Sequence, residues 1–308
     1  MKKYGDLTKT EHEFLGHDRF AYPEGVLRVT SGHGGESILI LGKNKVALYD
    51  TGMAYCGEKT ARNIRKILNG RKLDYVLASH THYDHIGAIP YIKLAFPDAE
   101  VLGAEYAKYV FTRAGAHRVI KQLGIVADKL YGENNPEQII TDGMAVDKVV
   151  SDGDVIDLGG ERIRVLETKG HTDCSLSFYL EDKSLLFASE STGICGGPGF
   201  CSTAILKSFD DSMQSLKKCR ELNPEKIVSP HFGMVPTEYN NTYWDIFEEA
   251  ALNERDYCVK LWKEGLTTEE MLRRATEDFY GEERSKEQPY EAFVANAIQT
   301  FKVYKDCR

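Results

Sequence analysis

The chain has 308 residues, 42% hydrophobic and 28% charged, enough to bury a sizeable core in one large domain or one domain with an appendage. Its formal charge of −8 argues against a dominant nucleic-acid or anionic-membrane surface, and the short runs Lys217-Lys218 and Arg273-Arg274 do not reverse that balance. No apolar stretch follows Met1-Lys2-Lys3, no run is long enough to span a bilayer, and seven irregularly spaced cysteines suit a reducing compartment, so a cytoplasmic protein is expected.

Short β-branched and apolar runs at 26–30, 37–41 and 46–49, separated by glycine-rich turns, predict an opening meander. Helical periodicity follows over 58–68 and is closed by Asn69-Gly70. The next strand, 75–78, leads directly into Ser79-His80-Thr81-His82-Tyr83-Asp84-His85. Beyond it the pattern predicts a helix over 87–95, a strand at 100–102 and a mixed helical insertion near 104–145. Strands return at 155–158, 162–168, 176–180 and 185–188, followed by a helix and a last strand before Pro230. Strands flanked by helices in this order imply an α/β fold, a four-layer αβ/βα sandwich.

After residue 238 the chain changes character. A catalytic unit is expected over 1–238 and a helical appendage over 239–308, with helices near 242–263, 267–279 and 289–304. Thr267 and Glu270 have the spacing of a capping box. A homodimer joined through these terminal helices is the one oligomer the sequence suggests. Cys195 and Cys201 flank a glycine-rich segment, where a redox pair would be unusual for the cytosol.

Three imidazoles and a carboxylate within six residues point to metal binding. A strand places residues i and i+2 on one face, so His80 and His82 at the end of 75–78 would grip one cation. Asp84 and His85, where the chain turns toward a helix, would reach a second position. Imidazole with carboxylate suits zinc, iron or manganese better than magnesium or calcium. Further candidates stand after later strands: His171 in Gly170-His171-Thr172, Glu190 after Leu185-Leu186-Phe187-Ala188, and His231 in Ser229-Pro230-His231. In open α/β sheets such strand ends carry the ligand site.

The HxHxDH run at 80–85, Gly-His-Thr at 170–172, the acid at 190, Ser-Pro-His at 229–231 and Asp50-Thr51-Gly52 together resemble the metallo-β-lactamase superfamily in its broad metallohydrolase sense. The resemblance covers about residues 20–235. It implies two divalent metal ions, zinc first and iron or manganese as alternatives. One would be held by His80, His82 and His171, the other by Asp84, His85 and His231. Glu190 stands where the family usually places a bridging aspartate, and its extra methylene puts the metal stoichiometry in question. Asp50 would orient a ligand imidazole, against the alternative of an ordinary turn aspartate. His33, in a glycine-rich loop, is read as a loop residue, His12, His17 and His117 as surface residues, and Tyr83 as a packing residue.

The resemblance further implies hydrolysis of a small ester, thioester, lactone, amide or phosphodiester by metal-bound hydroxide, with Asp84 as the catalytic group that orients the nucleophile. The expected partner is a small-molecule substrate, with neither nucleic acid nor membrane involved. Iron-dependent oxidation of the persulfide-dioxygenase kind and a non-catalytic regulator on the same scaffold are the alternatives.

Overall fold

The computed structural model describes residues 22–197 and 200–306; His12, His17, the basic start of the chain and Pro198-Gly199 lie outside the described residues. Two six-stranded sheets face each other. The first runs β1 (Val26–Arg28), β2 (Ile38–Leu41), β3 (Val46–Tyr49), β4 (Tyr75–Leu77), β5 (Glu100–Gly103), β6 (Lys148–Val149). Its opening meander is antiparallel and its last three pairings are parallel. The second sheet runs β14 (Gly233–Met234), β13 (Lys226–Ser229), β10 (Leu185–Phe187), β9 (Leu176–Leu180), β8 (Arg162–Glu167), β7 (Val155–Asp157). Only β10 and β13 pair parallel within it.

The strand sequences follow from this layering. Ile38, Leu39 and Ile40 are all fully buried because β2 has the opposite sheet on one face and helices on the other, so it reads as an unbroken apolar run. In β8, exposed Arg162 and Arg164 alternate with buried Ile163 and Val165, as a half-covered strand requires. Tyr49 meets Phe178 and Phe187 between the sheets, with ring centroids 6.0 and 5.0 Å apart. Burying each such side chain stabilises the fold by about 1.5–3 kcal/mol relative to exposure.

Helix α1 (Gly57–Leu68) buries Thr60, Ala61, Ile64 and Leu68 at helical spacing and stops at Asn69, whose left-handed backbone (φ 44°) closes it. It packs on α3 (Ile89–Ala95), which follows the single turn α2 (Tyr83–Ile86). The insertion holds α4 (Glu105–Phe111) and α5 (Ala114–Tyr131). Over the second sheet lie α6 (Phe209–Glu221), N-capped by Ser208, and α7 (Asn240–Lys263). Leu216, Cys219, Tyr243, Trp244, Phe247 and Ala251 of these helices share one core with Leu186 and Ile227 of the sheet. Helices α8 (Thr268–Phe279), α9 (Glu282–Glu287) and α10 (Tyr290–Val303) complete the chain. The capping box is present: Thr267 accepts from the Glu270 N–H and Glu270 accepts from the Thr267 N–H.

Several elements depart from the sequence expectation. Strand β4 ends at Leu77, so the histidines lie beyond the ladder. Residues read as a plain break between helices form α9. A hairpin of β11 (Ile194–Gly197) and β12 (Phe200–Ser202) stands where no strand was expected, with Cys195 opposite Cys201 across it and the Cys201 thiol free. No helix among the described residues is long and apolar enough to cross a membrane.

Candidate metal centre

The loops after β3, β4, β8, β10 and β13 meet at one edge of the sandwich. His80 and His82 do not alternate on a strand as expected. The backbone past Leu77 is instead held extended, with the Ser79 N–H donating to Asp50 Oδ1 (2.8 Å) and the Ser79 carbonyl accepting from Leu176 N (2.8 Å) across to the second sheet. His82 is still extended (ψ 144°) before α2 begins, and that single turn swings Asp84 and His85 toward the last sheet strands.

Two clusters result. His80, His82, His171 and Glu190 place one donor atom each within 4.8 Å of one another, and Asp84, His85, Glu190 and His231 do the same. His171 Nε2 lies 2.9 Å from His82 Nδ1, and His85 Nε2 lies 3.1 Å from His231 Nε2. Asp84 Oδ2 stands 3.7 Å from His85 Nε2 and 3.6 Å from His231 Nε2. Glu190 belongs to both groups through different atoms. Its Oε2 is 2.7 Å from His171 Nε2, while Oε1 is 3.0 Å from His85 Nε2 and also meets His231 Nε2. The extra methylene, which put the shared position in question, is accommodated by turning one oxygen toward each cluster.

The outward sides of the rings are committed. His85 Nδ1 bonds Asp50 Oδ2 at 2.9 Å; Asp50 is fully buried, which decides against its being an ordinary turn residue. The Ser79 hydroxyl donates to the same Oδ2 (2.6 Å) and lies 3.0 Å from His80 Nδ1, so one carboxylate orients an imidazole in each cluster. His171 Nδ1 donates to the Ala204 carbonyl at 2.6 Å. Each of these rings therefore turns its other nitrogen inward. A hydrogen bond on one nitrogen fixes which one can serve as a lone-pair donor.

Below the centre, buried Thr168, Ser177 and Ser189 join the ends of β8, β9 and β10. Thr168 Oγ1 lies 3.0 Å from Ser177 Oγ and 2.9 Å from Ser189 Oγ. The Ser191 hydroxyl accepts from the His171 N–H (3.0 Å). Gly35 presses on His85 from the side: a Cβ there would meet the Nδ1 at 2.4 Å.

This donor set fits a cation. The buried His80 Nε2 has no hydrogen-bond partner, although such an orphan costs about 1–3 kcal/mol. Inward lone pairs facing each other and a carboxylate require positive charge between them. Burial, reinforced by neighbouring imidazoles, holds His80 well below the ordinary imidazole range, and burial lowers His82 to about 4, so both are neutral donors at neutral pH. His85 goes the other way: burial opposes its charge, yet Asp84, Asp50 and Glu190 raise it well above its usual value. Glu190, despite burial, is held well below the carboxylate range by His171 and His231.

His33 and His117 stay out of the centre. The first stacks on Tyr131 (centroids 4.3 Å apart) and the second bonds the Phe111 carbonyl through Nε2 at 2.7 Å. Tyr83 is buried in the main core, as expected of a packing residue. The sequence reading missed Ser79, Ser191, Ala204 and Gly35. Ser79, at the head of the histidine run, was visible as a small polar neighbour; the other three carry no local mark.

A profile of the metallo-β-lactamase superfamily matches residues 31–231. Among curated proteins, the chain is 28% identical over 170 residues to a metallo-β-lactamase fold-containing protein of Sulfurisphaera tokodaii, covering 53% of this chain and 62% of that one. It is 24% identical over 247 residues to Glyoxylase B2 of Dictyostelium discoideum, covering 76% and 75%. A hydroxyacylglutathione hydrolase of Cereibacter sphaeroides is 26% identical over 159 residues, 52% of this chain and 48% of that protein. A solved metallo-β-lactamase family protein of Thermus thermophilus superposes with a TM-score of 0.62 at 17% identity, covering 92% of this chain and 95% of that one. The matched segment spans every residue of both clusters and all but the first and last strands of the two sheets that bring them together, and the chain belongs to the metallo-β-lactamase superfamily.

Proposed function

We propose that the protein is a metal-dependent hydrolase that cleaves a small ester-like acyl substrate, with a thioester as the first candidate. The observation that carries this is the shared carboxylate: Glu190 sends one oxygen to each of two adjacent donor clusters, which is an arrangement for two cations side by side. Zinc suits the set of five imidazoles and two carboxylates best, with iron or manganese as alternatives.

His80, His82 and His171 would hold one ion and Asp84, His85 and His231 the other, with Glu190 between them. Such ions, when bound, supply Lewis acidity toward a carbonyl oxygen and bring the ionisation of water close to neutral pH. The residues of the chain do the rest. Asp50 and Ser79 fix two of the rings, and Glu190 keeps the clusters adjacent. Asp84, with 17% of its side chain exposed and its Oδ2 beside His85 and His231, would orient the attacking water. The relatives named for hydrolysis of hydroxyacylglutathione favour acyl transfer to water over phosphodiester cleavage.

The test is metal analysis of protein purified without added metal, paired with turnover of thioester, lactone, phosphodiester and β-lactam probes. Two ions per chain and thioester or lactone turnover that His82→Ala abolishes are expected. Undiminished turnover by that variant, or a metal-free wild type active on any probe, sinks the reading.

A further inference from the structure

We propose that the C-terminal helices are a positioning element for His171, acting through the segment 193–205. The inference rests on the metal-centre reading above. That segment leaves Glu190 almost at once, forms the β11–β12 hairpin and returns at Ala204, so both of its ends touch the centre. Ala204 has a left-handed backbone (φ 50°), unusual for a residue with a Cβ, and this turns its carbonyl onto His171 Nδ1. A conformation of that kind persists only where neighbours hold it.

The holders come from the C-terminal helices. Thr300 on α10 donates to the carbonyl of Ile205, the peptide next to Ala204, at 3.3 Å, and both residues are buried. Tyr243 on α7 donates to the Gly193 carbonyl at 3.1 Å. Gly193 (φ 86°) lies so close to α7 that a Cβ would stand 2.4 Å from Phe247. Arg284 on α9 donates to the Ser202 hydroxyl at 3.0 Å while its guanidinium covers the Phe293 ring at 5.3 Å. Downstream, Lys207 N and Ser208 N donate to the Gly170 carbonyl at 3.0 and 3.2 Å, tying the far end to the loop that carries His171. The segment is thus fixed to the imidazole's own loop on one side and to the helices on the other. The helices set the angle at which the Ala204 carbonyl meets the ring. Thr300 and Tyr243 are the two side chains whose hydroxyls can be removed with little change of shape.

The test uses the full chain in two backgrounds. His231→Ala leaves the cluster of His80, His82 and His171; His82→Ala leaves that of Asp84, His85 and His231. Zinc affinity is read by competition with a chromogenic chelator. In the first background, Thr300→Val and Tyr243→Phe are each expected to weaken zinc about tenfold, the low end for loss of a ligand's supporting bond, while Thr300→Ser retains affinity. The second background should show no change. A companion measurement needs no metal: in the zinc-free wild-type chain the His171 Nδ1 proton should exchange slowly by NMR, and Thr300→Val should speed it. Unchanged affinity together with unchanged exchange overturns the proposal, and so does equal weakening in both backgrounds, which marks general loosening. A parent chain that takes up no zinc overturns the metal reading, whereas the imidazole exchange still decides the positioning role.

Discussion

Asp50 Oδ2 accepts both from His85 Nδ1 and from the Ser79 hydroxyl that lies against His80, which makes one buried carboxylate the common support of an imidazole in each cluster. Asp50→Ala should therefore weaken metal binding at both clusters, by about 10–100-fold. Titration with zinc under chelator competition checks this, and a loss confined to the His85 cluster would show that Ser79 transmits nothing to His80.

Glu190→Gln keeps the size of the side chain and removes its charge. On the proposed two-ion centre, a neutral amide turned toward both clusters should lower the metal content toward one ion and reduce turnover at least tenfold. Elemental analysis after dialysis reads the first effect. Two retained ions with normal turnover would mean that the shared carboxylate is dispensable.

Gly35→Ala tests the close approach to His85. The backbone of Gly35 does not need a left-handed conformation, so the penalty is steric: the new Cβ would meet ring atoms at 2.4–2.9 Å. Forced overpacking of this kind costs about 1–3 kcal/mol. Both a lower unfolding temperature and loss of metal from the His85 cluster are expected; a variant with full metal and wild-type stability would refute the contact.

Part of the pH dependence of the metal-free protein follows from His82, alongside His80, which burial also depresses. Burial lowers His82 from 6.5 to about 4, so between those values the unfolded chain binds a proton that the folded chain refuses. Stability should fall as pH drops from 6.5 toward 4, and His82→Asn should flatten that part of the curve. Thermal unfolding of chelator-treated protein at steps across this window is the measurement. A slope unchanged by the substitution would assign the acid sensitivity elsewhere.

Much of the centre could be read in the sequence because its donors are all imidazoles or carboxylates and stand just past recognisable apolar runs. The run at 80–85 and the later His171, Glu190 and His231 all follow this rule, and the structure brings the seven together. The supports were harder to see. Ala204 acts through a backbone carbonyl and Gly35 through the absence of a side chain, neither of which any local pattern announces. Fold elements divide the same way. Helix α1 carries its own periodicity and stop signal, whereas the hairpin β11–β12 is short and glycine-rich, and α9 is short and polar. Strand β4 ended early because Ser79 N–H takes the Asp50 carboxylate as its partner in place of a neighbouring strand.

The hydroxyls of Thr168, Ser177 and Ser189 give the open edge of the sandwich an unusual property. Strand termini at the mouth of a site ordinarily fray first. Here three adjacent strand ends are stitched to one another from inside, which braces the rim that presents His171 and Glu190 against such fraying. Any opening at this edge is then left to the surrounding loops.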